Sequence, residues 1–537
     1  MKAKSLPSIL NDVIGPVMRG PSSSHTAASW RIAVTGLMIL NDELESALIE
    51  MEKRGIWASN YREQGTALGM DGGLLGIEMT DERIVNAQQL AREQGIAIEY
   101  RISSFEADHT NTVRITLKGK SEKQVVLKAI STGGGMFGII AVDGHAVDIR
   151  GDSYHLIIRA RPGFDAGSLQ AESGMPGGKY RVHTSVQDRE TLIQLSSPEP
   201  FSEKDRQEIS GLEGVESVSL VAAILPVLSG NETQFSFTDL PSLMEFASDT
   251  GGKEYTLGEL GLMYESNRSG LGEEELKARM LTLIGIIEGG IASGLKGTRY
   301  ADRMLHQQSD LVEKAAEAGK IHSGPLVNHI IANVSALMEA KSAMEVIVAV
   351  PTAGSCGTFG GTIRAFCDTN GLGEEEKIMA YFAGGLIGVF FAMGPGFSAE
   401  EHGCQVETGA AGCMAAAALA DLSGGDFRRA LAAASMALQN TIGLICDPVA
   451  DRVEVPCLGK NVAAGMNALA ASSMALSGFD PVIPLDQVIR TVEKVGRMLP
   501  SALCNSGKGG LAVTPKAKEL KDMLRDLDGD AMNVIKD

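Results

Sequence analysis

The chain has 537 residues, more than one compact hydrophobic core usually holds, so we expect several domains. Hydrophobic residues make up 44% and charged residues 21%, as in ordinary globular proteins. With 48 lysine and arginine residues against 67 aspartate and glutamate residues, the formal net charge is −19. This negative charge argues against binding to nucleic acid or to an anionic membrane, because both need a basic surface. The first residues lack the apolar run and cleavage site of a secretory signal, so we expect a cytoplasmic protein.

Residues 1–150 show the pattern of an α+β domain. Stretches of alternating or β-rich composition predict four strands, and glycine-rich turns such as Gly133-Gly134-Gly135 separate them. The predicted strands are Ile98–Ser104, Thr112–Leu117, Gln124–Ile130 and Phe137–Val142.

Residues 151–228 are predicted to form a small second domain. Its pattern indicates strand, helix, strand, strand, helix and strand, an order that fits a ferredoxin-like βαββαβ unit. A polar linker around residues 230–233 follows it. The six elements are predicted at Tyr154–Arg161, Ala166–Ser173, Lys179–Val186, Thr191–Leu195, Ser202–Ser210 and Val215–Ala222.

Residues 238–537 are predicted to form an all-α domain. Long stretches within it carry almost no charge, a property that also fits membrane-spanning helices. Helices rich in alanine and glycine that are apolar all round more often form the centre of a helical domain, and no positive-inside loop pattern flanks them. We therefore predict no membrane association. The stretches are Ile378–Ala399, Met414–Ala420, Ala430–Cys446 and Asn461–Phe479.

The seven cysteines all lie between Cys356 and Cys504. An odd number in a chain without a secretory signal does not fit a disulfide framework, which leaves metal binding, reactivity or simple burial. Three of them, Cys404, Cys446 and Cys457, stand beside glycine or proline in turn-like contexts. Their spacing is too wide for a zinc ribbon and differs from the usual ferredoxin run. Spacing alone is therefore weak evidence for a metal or cluster site.

Several short strings, taken together, resemble the iron–sulfur-dependent L-serine dehydratases, also called L-serine ammonia-lyases. The resemblance covers nearly the whole chain and implies two fused units, with residues 1–150 similar to the family's β unit and 238–537 similar to its α unit. It also implies that residues 151–228 are an ACT-like module and that no pyridoxal-phosphate lysine is needed. The strings are GPSSSHT at 20–26, GCQ at 403–405, CDPVA at 446–450, VEVPC at 453–457 and GGLA at 509–512.

The resemblance implies that Cys404, Cys446 and Cys457 bind three irons of a [4Fe–4S] cluster and leave the fourth iron open. An open iron is a Lewis acid that could polarise the C–O bond of a bound serine while a nearby base takes the α-proton. We therefore expect an enzyme, an L-serine dehydratase that forms pyruvate and ammonia from a small amino-acid substrate. We also expect a homodimer.

Polar residues elsewhere in these and neighbouring strings are candidates for catalysis and substrate binding. His25 and His109 are the candidates for proton transfer. Each candidate also has a structural interpretation, as a helix cap, a polar turn, a glycine loop or a solvated lysine. The candidate substrate-binding residues are Ser22, Ser23, Ser24, Thr26, Asn111, Thr112, Gly133, Gly134, Thr352, Ser355, Lys460 and Asn461.

The remaining cysteines receive other interpretations. Cys356 lies in a family string, PTAGSC at 351–356, but related sequences need no cysteine there, so we do not choose it as a ligand. Cys367 and Cys413 are expected to be core thiols. Cys504 is a candidate to cap the open iron, as a C-terminal cysteine does in some relatives.

Some positions depart from the family pattern around the expected pocket. Typical members carry a Gly-His-x-Thr-Asp string where this chain reads EQGTA at 63–67, so the histidine and aspartate are absent. The MGPGFS segment at 393–398 replaces an Asn-Ala-Ser-type string, and Ala353 replaces an asparagine of some members. These departures leave open which base acts. They also leave open a lyase for a related substrate, such as an L-cysteine desulfidase or another β-hydroxy acid dehydratase, and a non-catalytic amino-acid sensor.

Overall fold

The computed structural model describes residues 6–164, 167, 169, 180–187, 190–230, 237–249, 254–321 and 324–533. The strands are β1 Val17–Met18, β2 Leu44–Glu52, β3 Ala97–Ser103, β4 Thr112–Gly119, β5 Gln124–Gly133, β6 Met136–Val142, β7 His145–Ile149, β8 Tyr154–Ala160, β9 Arg181–Gln187, β10 Glu190–Ser197, β11 Val215–Val221 and β12 Ile347–Val348. The first helices are α1 Ala28–Leu40, α2 Trp57–Asn60, α3 Thr66–Leu74, α4 Ala87–Glu93 and α5 Glu203–Ser210.

The helices continue through the C-terminal half with few other elements. They are α6 Leu240–Ser248, α7 Leu257–Ser269, α8 Glu273–Lys296, α9 Ser309–Glu317, α10 Pro325–Ser342, α11 Cys356–Asn370, α12 Glu374–Met393, α13 Ala399–His402, α14 Thr408–Leu422, α15 Phe427–Gln439, α16 Cys457–Leu476, α17 Leu485–Met498 and α18 Pro515–Asn533. The expected division into a mixed α/β N-terminal region and a helical C-terminal region is confirmed.

A six-stranded sheet forms the centre of the N-terminal region. Its order is β3-β2-β4-β5-β6-β7; β2 and β3 run parallel and the other neighbours run antiparallel. The four predicted strands of this region are confirmed within three residues, whereas β2 and β7 were not predicted. Strand β2 is rich in glutamate, and Glu50 is buried because Arg114 on β4 binds it through two hydrogen bonds of 2.7 and 2.8 Å. A search for alternating hydrophobic residues does not find β2, because this pair places a charged residue at a buried position.

The second sheet contains four antiparallel strands in the order β11-β8-β10-β9. The four predicted strands and the second predicted helix of this region are confirmed, while the helix expected at Ala166–Ser173 falls almost entirely outside the described residues. One face of this sheet contributes Ile157, Leu192 and Val221 to the hydrophobic core of the six-stranded sheet. The small sheet is therefore joined to the N-terminal unit by a shared apolar core.

Helix α12 lies in the core of the helical region and contacts the N-terminal segment. Its glycines make this contact close: a Cβ on Gly385 would lie 2.4 Å from Ile9, and one on Gly388 would lie 2.2 Å from Val13. Helices α8 and α12 are long and apolar enough to span a membrane by length and composition. However, 72% of the apolar window of α12 is buried inside the protein, as a core helix requires, against 33% for α8.

Further contacts hold the two halves of the chain together around one place. Strand β1 pairs with β12, and Gly133 at the end of β5 forms a β-bridge with Phe397. A Cβ on Gly133 would lie 2.8 Å from the Phe397 carbonyl carbon, so this approach needs glycine. Residues from both halves of the chain line the cavity described next.

Candidate active site

A buried cavity between the N-terminal unit and the helical region collects polar and sulfur-containing side chains. Ser22 and Gln64 come from the N-terminal unit, and the other lining residues come from the helical region. The full lining is Ser22, Gln64, Gly354, Glu400, Cys404, Glu407, Thr408, Cys446, Pro448, Val453, Cys457 and Asn505.

Cys404, Cys446 and Cys457, which we call the cysteine trio, all line this cavity and are buried, free thiols. Cys404 follows Gly403, whose φ of +74° is in the region that favours glycine and where a Cβ would lie 2.8 Å from the Leu444 carbonyl oxygen. Cys457 is the first residue of α16. The positive end of this helix favours a thiolate at that position.

The backbone around Cys446 is fixed by the loop that contains Cys504. The Cys446 N–H donates to the Leu503 carbonyl and the Asn505 N–H donates to the Cys446 carbonyl, both at 2.8 Å. Lys460 on α16 donates to the Ile445 carbonyl at 2.7 Å and to Asp447 at 2.8 Å. The second thiol therefore lies on a segment that is held from both sides.

The thiols of the trio affect each other's ionisation. A hydrogen bond from Cys446 lowers the pKa of Cys404, and the same contact, together with burial, raises the pKa of Cys446 well above its usual range. Burial, followed by the charge on Cys404, raises the pKa of Cys457 to about 12. Burial disfavours several charged thiols in one place, and a bound metal would supply a compensating positive charge.

Glu407 is an acidic side chain beside two thiols of the trio. Ligand atoms of Cys404, Glu407 and Cys446 lie within 4.8 Å of one another, an arrangement that could hold a metal ion. Burial, followed by the charges on Cys404 and Glu400, raises the pKa of Glu407 well above its usual range. The donor set is therefore rich in sulfur with one carboxyl group beside it, which suits a soft metal or an iron–sulfur group.

The Ser22–Thr26 turn belongs to a short π-helix, Ser23–Ala27, directly before α1, and Ser22 lines the cavity. His25 is fully buried and is absent from the cavity lining. Its Nε2 lies 3.0 Å from Asn60 Oδ1, which fixes Nε2–H as the donor, and its Nδ1 accepts from Ser22 Oγ at 3.0 Å. Burial lowers the pKa of His25, although Glu400 opposes this. The structure thus places His25 behind Ser22 and Ser24, one layer away from the cavity.

Glu400 joins the two halves of the site. Its Oε1 accepts from Ser24 Oγ at 2.9 Å and from Asn505 Nδ2 at 3.2 Å, and its Oε2 accepts from Ser398 Oγ at 3.0 Å. Its side chain is only 2% exposed, and His25 Nδ1 lies 3.6 Å from Oε1. A carboxylate held by three donors and open to a cavity is a strong functional feature. No local pattern in the sequence marks this residue.

Gln64 and Asn505 form a paired amide contact across the cavity. Gln64 Nε2 donates to Asn505 Oδ1 at 2.7 Å, and Asn505 Nδ2 donates to Gln64 Oε1 at 3.0 Å. Gln64 lies in the EQGTA segment, in line with the family histidine that this chain lacks. The departure from the family pattern at 63–67 therefore marks a residue of the cavity wall. This departure is a sequence signal by which Gln64 could be selected as a candidate site residue. Asn505 had no comparable signal.

Other candidates from the sequence support the site from behind. Ser23 Oγ accepts from the Ala353 N–H at 3.1 Å, and Thr26 Oγ1 donates to the Gln64 carbonyl at 3.3 Å. Thr352 Oγ1 lies 3.0 Å from Ser355 Oγ, which donates to the Val350 carbonyl. The Ser23–Ala353 contact joins the two halves of the chain, and the other contacts lie within one half. A direct substrate contact of these four side chains stays a prediction.

Lys460 and Asn461 both have protein partners. Lys460 holds the 445–447 segment, as described above, and the charge on Cys404 raises its pKa even though burial opposes this. Asn461 Nδ2 donates to the carbonyls of Gly354 and Cys457 at 2.8 Å each, and its Oδ1 accepts from Thr358. Both therefore brace the trio, and no free group of Asn461 is left for a substrate.

His109 and its neighbours lie near the site without lining the cavity. His109 Nε2 is 3.7 Å from Glu401, its Nδ1 accepts from the Asn111 N–H at 3.0 Å, and Thr112 Oγ1 donates to the His109 carbonyl at 2.6 Å. Among the described residues, the fully buried side-chain amide of Asn111 has no hydrogen-bond partner. Gly133 and Gly134 pack against Phe397 and Pro351, so this loop serves close docking here.

The other cysteines are buried and free, and none of them lines the cavity. Burial raises the pKa of Cys356 and of Cys367 to about 12, and it raises that of Cys413 further. These three behave as core thiols. Cys504 forms a backbone bridge with Cys446 and is 2% exposed. The backbone of Cys504 therefore lies beside that of one cysteine of the trio. The role of Cys504 as a cap of the open iron stays a prediction.

Comparison with known proteins identifies the class to which this site belongs. Residues 173–512, well over half of the chain, match the family model described as serine dehydratase alpha chain. The chain therefore belongs to the serine dehydratase alpha chain family, as the short strings predicted. It is an enzyme of the lyase class. The match begins inside the region predicted as the small second domain.

Individual relatives agree with the family match. The chain is 33% identical over 285 residues, 53% of its length, to a probable L-serine dehydratase alpha chain of Bacillus subtilis, of which 94% is covered. It is 39% identical over 191 residues, 36% of its length, to one from Latilactobacillus sakei, of which 91% is covered. It is 29% identical over 288 residues, 53% of its length, to the L-serine dehydratase alpha chain of Peptoniphilus asaccharolyticus, of which 98% is covered.

Proposed function

We propose that the protein is an L-serine dehydratase that converts L-serine to pyruvate and ammonia with a [4Fe–4S] cluster. The observation that carries this proposal is the convergence of the cysteine trio on one buried polar cavity. The three relatives described above are named L-serine dehydratase alpha chains, two of them as probable, which supports serine as the substrate.

The residues around the cavity fit a cluster held by the trio. Three free thiols line one cavity, and their mutual effect on ionisation favours a cationic partner. The start of α16 and the Lys460 ammonium group add positive potential beside them. When bound, a cluster with three thiolate ligands supplies an open iron as a Lewis acid for the departing hydroxyl group.

The chain's own residues would hold the substrate and exclude water. Ser22, Gln64 and Asn505 bring hydroxyl and amide groups to the cavity wall, and these suit the carboxylate and ammonium groups of a small amino acid. Loss of the α-proton and the hydroxyl group turns serine into an aminoacrylate and water. The aminoacrylate tautomerises to an imine, which takes up water and releases pyruvate and ammonia.

Purification without oxygen followed by a substrate panel tests the proposal. We expect about four iron and four sulfide per chain, and release of pyruvate and ammonia from L-serine. L-cysteine, assayed for sulfide, and other β-hydroxy amino acids serve as comparison substrates. A protein with an intact cluster that gives no pyruvate from serine would reject the substrate. An iron-free protein that turns serine over would reject the cluster.

Three other sequence-based expectations enter the proposal. We infer a cytoplasmic homodimer, which a mass measurement in solution tests. We infer that residues 1–150 and 238–537 correspond to the β and α units of the family. We also infer that residues 151–228 are an ACT-like module, since the strand order β11-β8-β10-β9 is that of a ferredoxin-like sheet. Binding of free amino acids to a cluster-free Cys404→Ser protein would reveal a ligand of that module.

A further inference from the structure

The cavity wall carries two carboxyl groups, and they differ in their surroundings. Glu407 stands among the sulfur atoms, within 4.8 Å of those of Cys404 and Cys446, where the cluster would lie. Glu400 is held instead by Ser24, Ser398 and Asn505 and is not a member of that group of ligand atoms. A carboxyl group at the second position can meet the substrate without competing for iron.

The hydrogen bonds of Glu400 leave room for one more proton donor. An ionised carboxylate has about four lone-pair positions on its two oxygens. The described hydrogen bonds use two positions on Oε1 and one on Oε2. The donors come from three separate segments of the chain, so they fix the plane of the carboxylate. The remaining position on Oε2 belongs to a group that lines the cavity.

The two histidine candidates are less well placed for the same task. Both ring nitrogens of His25 already contact protein groups, and the ring does not line the cavity. His109 also lies outside the lining, and its side chain faces Glu401. Gln64, which stands in the position of the missing family histidine, has an amide that cannot accept a proton at neutral pH.

We propose that Glu400 is the catalytic base that removes the α-proton of the amino-acid substrate, an inference that rests on the proposed function. The carboxylate takes the proton from Cα, and the electron pair of the C–H bond forms the Cα=Cβ double bond. The Cβ–O bond breaks and its electron pair leaves with the hydroxyl group. Return of the proton from Glu400 to this hydroxide gives water and restores the carboxylate, so atoms and charges balance.

Ser24, Ser398 and His25 then act as positioning residues. Ser24 Oγ donates to Glu400, and His25 Nδ1 accepts from Ser22 Oγ, so the histidine fixes the turn whose serine holds the carboxylate. This arrangement explains a fully buried histidine in a segment that otherwise consists of serines.

The variant Glu400→Gln tests the proposal because it keeps the side-chain size and removes the proton acceptor. We expect kcat to fall by about 10²–10⁴-fold, the usual contribution of a general base, with KM within a few-fold of wild type. We expect iron content, the midpoint of thermal unfolding and serine binding by calorimetry to stay unchanged. Glu400→Asp should recover part of the lost kcat.

Glu339→Gln is a matched control. Glu339 is also a buried carboxyl group that accepts three hydrogen bonds, from the N–H groups of Gln308 and Ser309 and from Ser309 Oγ, but it lies outside the cavity lining. Turnover by this variant should stay within about two-fold of wild type. If Glu400→Gln raised KM and left kcat intact, Glu400 would bind the substrate ammonium group instead, and the proposal would be wrong.

Exchange of the α-proton in D₂O, followed by NMR for serine, cysteine, threonine and alanine, separates this inference from the proposed function. If wild type exchanges the α-proton of an amino acid without forming pyruvate, and Glu400→Gln does not, the base assignment holds and the serine dehydratase assignment fails. If Glu400→Gln exchanges as fast as wild type, the base assignment fails whatever the product. If wild type neither exchanges nor eliminates, both fail.

Discussion

Replacement of Gly69 by alanine should disturb the active site from a distance. Gly69 lies on α3, where a Cβ would stand 2.0 Å from the Thr26 carbonyl oxygen and 2.4 Å from Ser29 Oγ. Both distances are far below ordinary contact, and the nearer neighbour is backbone. Helix α3 must therefore move away from the Ser22–Thr26 turn, or the turn must move.

The size of the effect follows from these distances. Restoring an ordinary contact of about 3.4 Å requires the new Cβ and the carbonyl oxygen to move apart by about 1.4 Å. Overpacking of this kind costs about 1–3 kcal/mol. Gln64 directly precedes Gly65 and α3, and Ser22 belongs to the opposing turn. A shift of about 1 Å in groups that orient a substrate lowers turnover by about 10²-fold.

Denaturant unfolding and steady-state kinetics, both without oxygen, measure the two effects. Gly285→Ala is the control, because Gly285 lies in α8 with open space around its Cβ position. This control should gain up to about 1 kcal/mol from helix propensity and keep full activity. If Gly69→Ala matched wild type in both stability and kcat, the packing argument for the turn would be refuted.

Three further predictions concern the metal site, pH and the amide pair. Serine at any one position of the cysteine trio should reduce iron well below about four per chain, whereas Cys413→Ser should keep it; equal iron in all variants would contradict the ligand assignment. Burial raises the pKa of Asp71 from 3.8 to about 7, so the unfolded chain releases this proton first and stability falls as pH rises from about 4 to about 7. The unfolding free energy of Asp71→Asn relative to wild type should therefore rise by about 4 kcal/mol between pH 4 and pH 8, and a flat difference would refute this. Asn505→Ala should cost about 1–3 kcal/mol in denaturant unfolding because it leaves Gln64 unpaired, and an unchanged midpoint would show that water replaces the amide.

Much of the fold could be predicted from local sequence patterns. Strands such as β4 and β5 alternate buried and half-buried positions, and the sequence shows the same period. Strand β2 was missed because Glu50 is buried through a partner on another strand, which no local pattern reveals. The interior of α12 was recognisable because it is uncharged and rich in glycine.

The candidate site was predictable only where short strings carried it. The cysteine trio and Ser22 came from such strings, and all four line one cavity. Glu400 and Asn505 were missed because a single acidic or amide residue gives no pattern. Their importance arises from contacts between distant parts of the chain. Asn461 was selected for substrate binding, but its side chain holds the backbone at Gly354 and Cys457.

Because Gln64 pairs with Asn505, this part of the cavity wall can form only late in translation. These partners are separated by 441 positions. At about 5–20 residues per second, a ribosome needs roughly 20–90 s to travel between them. Throughout that interval one wall of the cavity is missing, so the cavity is complete only in a nearly finished polypeptide.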